Sequence, residues 1–165
     1  MFGFPNPVNE KAARTVAAGV ALVCVLTLVL TLAGLDGWIW MTVPLAYGFL
    51  ARVATGPKLS PLGQLATRVV APRLGEVRPV PGPPKRFAQA IGATLSVGAA
   101  LLGVGFGLVG AAQVLLAMIL VAATLESVFA VCIGCWIFGR LMRLGVIPEQ
   151  TCIACNDVRS RLGTA

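Results

Sequence analysis

Four of the five cysteines fall into two pairs, Cys132-Ile133-Gly134-Cys135 and Cys152-Ile153-Ala154-Cys155, with 16 residues between them. A thiolate is both a soft metal ligand and a nucleophile, so the pairs are open to two chemistries. As a metal centre, Cys132, Cys135, Cys152 and Cys155 match the C-x2-C, about 15 to 20 residues, C-x2-C spacing of a tetrahedral zinc site, and iron has the same taste for sulfur. As redox groups, each pair is a dithiol that cycles through a disulfide, or passes electrons or sulfane sulfur to the other pair by thiol exchange. A third reading makes the first pair small apolar packing residues and the second incidental. Cys24, the fifth cysteine, is either a resolving thiol or packing.

Between Phe87 and Gly139 the only charged residue is Glu126. An ionisable group at membrane depth is costly, which makes it a candidate for proton relay or substrate binding. The competing reading is a protonated carboxyl bonded to a neighbour such as Ser127. On an unbroken helix Glu126 lies about 21 Å from Arg140, towards the outer leaflet and away from both cysteine pairs. The chain contains no histidine. That removes the usual general base, the Ser-His and Cys-His pairs, and imidazole sites for haem or copper. Neither a phosphate-binding loop nor a dinucleotide fingerprint is present.

The elements that must carry these groups are membrane helices. The 165 residues are 58% hydrophobic and 12% charged, with a mean hydropathy of +0.90, whereas a soluble domain is about 25% charged. A 20-residue uncharged run, Val16 to Leu35, spans a hydrocarbon core of about 30 Å. Its apolar core is longer than that of a signal peptide. Residues 37–54 form a second crossing, kinked near Pro44, that starts with Trp38 and Trp40 at the interface and ends with Arg52 snorkelling to the headgroups. The 53 residues from Phe87 to Gly139 are about twice the length of one span and contain a glycine-rich break around Gly105 to Gly110. They read as two crossings, about 87–108 and 111–141.

The expected fold is therefore an all-α membrane protein: one domain over 1–165, a four-transmembrane-helix bundle with a cytoplasmic loop at 55–86 and a cytoplasmic tail at 145–165. All 13 Lys and Arg then fall on one side, the cytoplasmic one by the positive-inside tendency, so both termini are cytoplasmic. Orientation and anionic headgroups account for the net charge of +7, and no nucleic-acid partner is implied. In the loop, Ser60 is a good N-cap, Pro61 suits the first helical position, and Leu62, Leu65, Ala66, Val69 and Val70 repeat at helical spacing up to Pro72. This predicts a short amphipathic helix on the membrane surface. Pro79, Pro81, Pro83 and Pro84 predict an extended linker. In helix three Gly103 and Gly107 stand in the GxxxG relation of closely packed helices.

The chain resembles a family of small bacterial membrane proteins described as domain of unknown function 4395. The resemblance runs from about Asn6 to Arg143. It lies in Gly56-Pro57-Lys58-Leu59-Ser60-Pro61, Ala71-Pro72-Arg73-Leu74-Gly75, Arg86-Phe87-Ala88-Gln89 and, most specifically, Val131-Cys132-Ile133-Gly134-Cys135-Trp136. It implies a four-helix protein of the bacterial cell membrane, with a thioredoxin-like or sulfurtransferase partner. Many members end soon after the C-x-G-C motif, so Cys152 and Cys155 exceed the common pattern. That shifts the expectation towards thiol redox or sulfur handling at a cytoplasm-facing site. A membrane scaffold or transporter with a structural four-cysteine zinc or iron site is the alternative.

Overall fold

The structure, a computed structural model, describes residues 6–152. It is mostly helical, and three segments are long and apolar enough to cross a membrane: Glu10–Leu32, Gly82–Gly105 and Val109–Phe129. Helix α1 (Glu10–Leu32) starts at Asn9, whose side-chain oxygen accepts the Lys11 N–H at 3.1 Å, and its 23 residues rise about 35 Å. Gly34, at φ +87°, then reverses the chain.

The second expected crossing takes a different form. Asp36–Met41 is a 3-10 turn, and only Thr42–Thr55 is α-helical (α2, 14 residues). Pro44 therefore sits in the first turn of α2, where its missing N–H leaves no bond unmade, and it starts the helix instead of kinking it. At about 21 Å, α2 alone is shorter than a hydrocarbon core.

Ser60 caps α3 (Pro61–Leu65) as expected, accepting the Gly63 N–H at 3.3 Å. The helix does not stop at Pro72. It widens into a π turn (Ala66–Val70) and ends as α4 (Ala71–Arg73). Ala66 and Ala71 are buried, and Leu62 fills the space above Gly19 of α1. The proline linker is short. Pro79–Val80 (β2) pairs antiparallel with Val8–Asn9 (β1), and α5 (Gly82–Ala100) begins at Gly82 rather than Phe87. Pro83 and Pro84 lie in its first turn, where N–H groups have no intrahelical acceptor. A π turn (Leu101–Gly105) extends α5 to the break.

The larger correction concerns the last crossing. Helix α6 (Val109–Phe129) does not continue to residue 141. Ala130 turns left-handed at φ 57°, and α7 (Ile133–Arg143) is a separate helix. An unbroken helix over 111–141 would measure about 46 Å, well beyond a hydrocarbon core. The break instead lets Gly134, Phe138 and Met142, all buried, turn onto α5, with the Phe87 and Phe138 rings edge to face at 5.6 Å.

Helix α1 lies against α6, α2 against α5, and α5 also touches α6 and α7. The core is made by Val20, Cys24, Ile39, Leu45, Phe49 and Leu116. Glycines set the closest approaches. A Cβ on Gly92 would stand 2.2 Å from Phe49, one on Gly103 2.6 Å from Ile39, and one on Gly134 2.5 Å from the Ala88 backbone. Gly103 thus packs within the chain, while Gly107, at φ +67°, belongs to the turn into α6.

Gly134→Ala is expected to lower the unfolding free energy in detergent by about 1–3 kcal/mol through overpacking against Ala88. Gly139→Ala, in the same helix with open space around it, is expected to be neutral or mildly stabilising. Denaturant titration of both variants checks the difference.

Candidate functional site

The chain ends of the bundle decide which groups meet. The start of α1, the end of α2, the start of α5, the end of α6 and the start of α7 lie together, joined by side chains that reach between them. Helix C-termini carry partial negative charge and orphan carbonyls, which cations satisfy. Arg14 donates to the Ser127 carbonyl at 2.9 and 3.1 Å and to that of Val128 at 3.2 Å, at the end of α6. Arg86 donates to the Val53 carbonyl at 3.1 Å in α2, and Lys11 to the Leu74 carbonyl at 2.6 Å after α4.

Because α6 stops at Phe129, Glu126 lies in its last turn at this same end. Its carboxylate forms an ion pair with Lys85 of the first turn of α5, both side chains being largely buried. The expectation that Glu126 stands apart from the cysteines is therefore corrected. Its carboxylate and the Lys85 ammonium are close enough to act on the Cys132 and Cys135 thiols.

Cys132 is the N-cap of α7. Its sulfur accepts the Cys135 backbone N–H at 3.3 Å and the Cys135 thiol at 2.7 Å. Both cysteines are free and half-buried. The placement differs from the expected crossing at 111–141, which would carry the pair inside one unbroken helix. At an N-terminus the dipole and the N–H groups favour negative charge. The Cys135 thiol hydrogen bond lowers the Cys132 pKa most; burial and Glu126 oppose it, and Lys85 and the Cys135 N–H assist. Cys135 moves the other way, raised first by donating that hydrogen bond and then by burial. The result is a nucleophilic thiol beside a protonated one. Arg140 of the same helix stacks over Trp136 at 4.7 Å.

Arg52 does not snorkel. It is 4% exposed, lies over the Phe49 ring at 4.4 Å, and donates from Nε to Gln89 at 2.8 Å and from Nη1 to Ser60 at 3.1 Å. Its Nη2 is buried with no hydrogen-bond partner among the described residues. Arg52 and Gln89 line two cavities. One, of about 110 Å³, is walled mainly by apolar residues such as Val20, Phe49 and Ile119, with Glu126 and Cys132 in the same wall. The other, of about 160 Å³, lies towards Lys85 and Asn9. The basic-residue pattern of the sequence marked Arg52 as an interface anchor. A cue to its burial was Gln89, the first uncharged polar residue after the basic start of α5.

The remaining candidates lie elsewhere. Cys24 is fully buried in the core, one turn beyond Val20. Cys152 is disulfide-bonded and packs on Phe138 and Met142, about one and a half turns or more along α7 from Cys132. Cys155 lies outside the described residues. Among the described residues no three His, Cys, Asp or Glu side chains converge as metal ligands.

The sequence profile of a family described as domain of unknown function (DUF4395) matches residues 8–143. The chain belongs to that family. No curated protein and no solved structure matches it.

The pH dependence of Cys132 alkylation is set by its surroundings. Its pKa lies below the ordinary thiol value, so the thiolate, and the rate, should persist to lower pH than for a free cysteine. Cys135→Ala removes the principal hydrogen bond and is expected to move the midpoint upward, and Lys85→Met to move it in the same direction by a smaller amount. Rates of iodoacetamide labelling across pH, resolved by peptide mass, check both.

Proposed function

We propose that this DUF4395 member is a four-pass protein of the bacterial cell membrane whose Cys132 and Cys135 form a thiol–disulfide exchange site at the cytoplasmic face. The observation that carries the reading is the N-cap position of Cys132, with the Cys135 thiol donating to it. An acidified nucleophile three residues before a protonated thiol is the arrangement a dithiol needs to attack and then to resolve.

Asp36–Met41 and α2 together, 20 residues, supply the fourth crossing, the 3-10 turn adding the rise that α2 lacks. Trp38 and Trp40, both exposed, anchor the outer interface, and α3 and α4 lie at the inner one. Lys11, Arg14, Lys85 and Arg86, gathered at the end opposite Asp36, support a cytoplasmic location of both termini.

In the exchange step, the Cys132 thiolate attacks a disulfide sulfur of a thioredoxin-like partner, and one partner thiolate leaves with the electrons of the broken bond. Cys135 gives up its proton, attacks the Cys132 sulfur and releases the second partner thiol. The chain is left with a Cys132–Cys135 disulfide and the partner is reduced; the reverse sequence reduces the chain. The same nucleophile suits a sulfurtransferase partner, taking a sulfane sulfur as a Cys132 persulfide while the donor's thiolate departs. Cys152 and Cys155 on the tail supply a second pair for exchange.

The C-x2-C-x16-C-x2-C spacing favours a second reading, a membrane scaffold or transporter organised by a four-cysteine zinc or iron site. One pair of measurements separates the two. Cys135→Ser is expected to accumulate a mixed disulfide with purified oxidised thioredoxin through Cys132, and Cys132→Ser to give none. Absence of the trapped species, with about one zinc or iron per anaerobically purified chain that Cys132→Ser loses, would replace the exchange site by the metal centre.

A further inference from the structure

The cavity beside Cys132 combines three features that the exchange site does not use. Its walls are mainly apolar. Arg52, 4% exposed, lines it and holds an Nη2 with no partner among the described residues. Its volume of about 110 Å³ is below that of an apolar cavity of about 150 Å³ that admits benzene, and the cavity is partly open, so it takes the leading edge of a six-membered ring whose remainder passes out through the opening.

The occupant must suit all three. Water needs two to four polar partners; Arg52 Nη2 offers one, while one Glu126 oxygen is held by Lys85 and the Gln89 carbonyl by Arg52. An acyl chain suits the walls but leaves a charged donor unsatisfied in low dielectric. A small inorganic anion would satisfy Arg52 yet lose its hydration against an apolar wall. A flat ring carrying a carbonyl oxygen satisfies walls and donor together. Cys132, in the same wall, brings a two-electron donor to that ring, and a bilayer is where apolar two-electron carriers of this shape dissolve.

We propose that this cavity binds the ring of a lipid-soluble quinone, with Arg52 donating to one of its carbonyl oxygens and the Cys132–Cys135 dithiol reducing it. The inference rests on the exchange reading above. Oxidation of the pair breaks two S–H bonds and forms one S–S bond. The two electrons and two protons released pass to the quinone, whose two carbonyl oxygens become the hydroxyls of a quinol. The Arg52 guanidinium stabilises the negative charge that develops on the carbonyl oxygen as electrons arrive. Electrons then run from a partner dithiol, through Cys132 and Cys135, into the membrane quinone.

The test uses the full-length chain in phosphatidylcholine nanodiscs, reduced and desalted without oxygen, then mixed with a one-isoprene ubiquinone. Quinone absorbance and maleimide-reactive thiols are followed together, and oxidised glutathione serves as an independent oxidant. In a Cys152→Ser/Cys155→Ser background, which leaves Cys132 and Cys135 as the one C-x-x-C pair, the expected result is one quinol per chain with loss of the Cys132 and Cys135 thiols. Arg52→Gln and Ala123→Phe, which fills the cavity wall, should each slow quinone reduction tenfold or more relative to the same variant's rate with oxidised glutathione. Formation of the Cys132–Cys135 disulfide by glutathione but not by quinone would overturn the quinone site and leave the exchange site standing. Failure of both oxidants to form that disulfide would overturn the exchange site itself. Quinone reduction unaffected by either variant would remove the ring from this cavity.

Discussion

The buried ion pair between Lys85 and Glu126 is the constraint around which the end of the bundle that carries Cys132 and Cys135 is arranged. A carboxylate in the last turn of α6 faces the negative end of its own helix dipole, which is unfavourable unless cations are at hand. Lys85 supplies one from the first turn of α5, and Arg14 supplies another by capping the carbonyls of Ser127 and Val128. Separating either member of the pair would leave a lone charge in low dielectric, which costs about 3–5 kcal/mol. The pair therefore locks the end of α6 to the start of α5. The chain leaving α6 must emerge beside Lys85.

That emerging segment is the turn at Ala130 and the start of α7. The turn converts a C-x-x-C that would have lain within a long helix into the capping residues of a new one. Cys132 gains the N–H of Cys135, the thiol of Cys135 and the positive end of a helix, while Gly134 lets α7 close on Ala88. The close approach at Gly134 and the cap at Cys132 are two consequences of one sequence, Cys132-Ile133-Gly134-Cys135. The glycine brings the thiols against α5, and the cap tunes one of them. Lys85 stabilises the Cys132 thiolate and Glu126 opposes it, so the ion pair that fixes the fold also sets the thiol's charge balance.

Length and charge made the apolar segments legible. Three runs of sufficient length, the Ser60 cap, the turn near Gly105 and the basic end of the bundle all come from counting residues, because lipid imposes a fixed thickness and every membrane helix must satisfy its own backbone. Helix ends were less legible. Pro83 and Pro84 look like linker until their tolerance of a first helical turn is considered, and the stop at Phe129 has no proline or glycine to mark it. Ala130 adopts the left-handed turn that glycine usually takes, a choice imposed by the packing of Phe138 and Met142 on α5. The site inherited this error. With an unbroken helix Glu126 stood far from the cysteines; with the break in place, Gln89, Lys85, Glu126 and Cys132 gather at one end with Arg52, whose own burial comes from Phe49, Ser60 and Gln89.

The central claim is that Cys132 and Cys135 act as one two-electron unit. Equilibration of the chain in membrane vesicles with graded ratios of reduced and oxidised glutathione, followed by maleimide labelling and peptide mass analysis, tests it directly. A single reversible transition in which both thiols disappear together, with the slope of a two-electron couple of about 30 mV per tenfold change, is the result the account requires. Separate titration of the two thiols, or persistence of both through the most oxidising buffer, would contradict it.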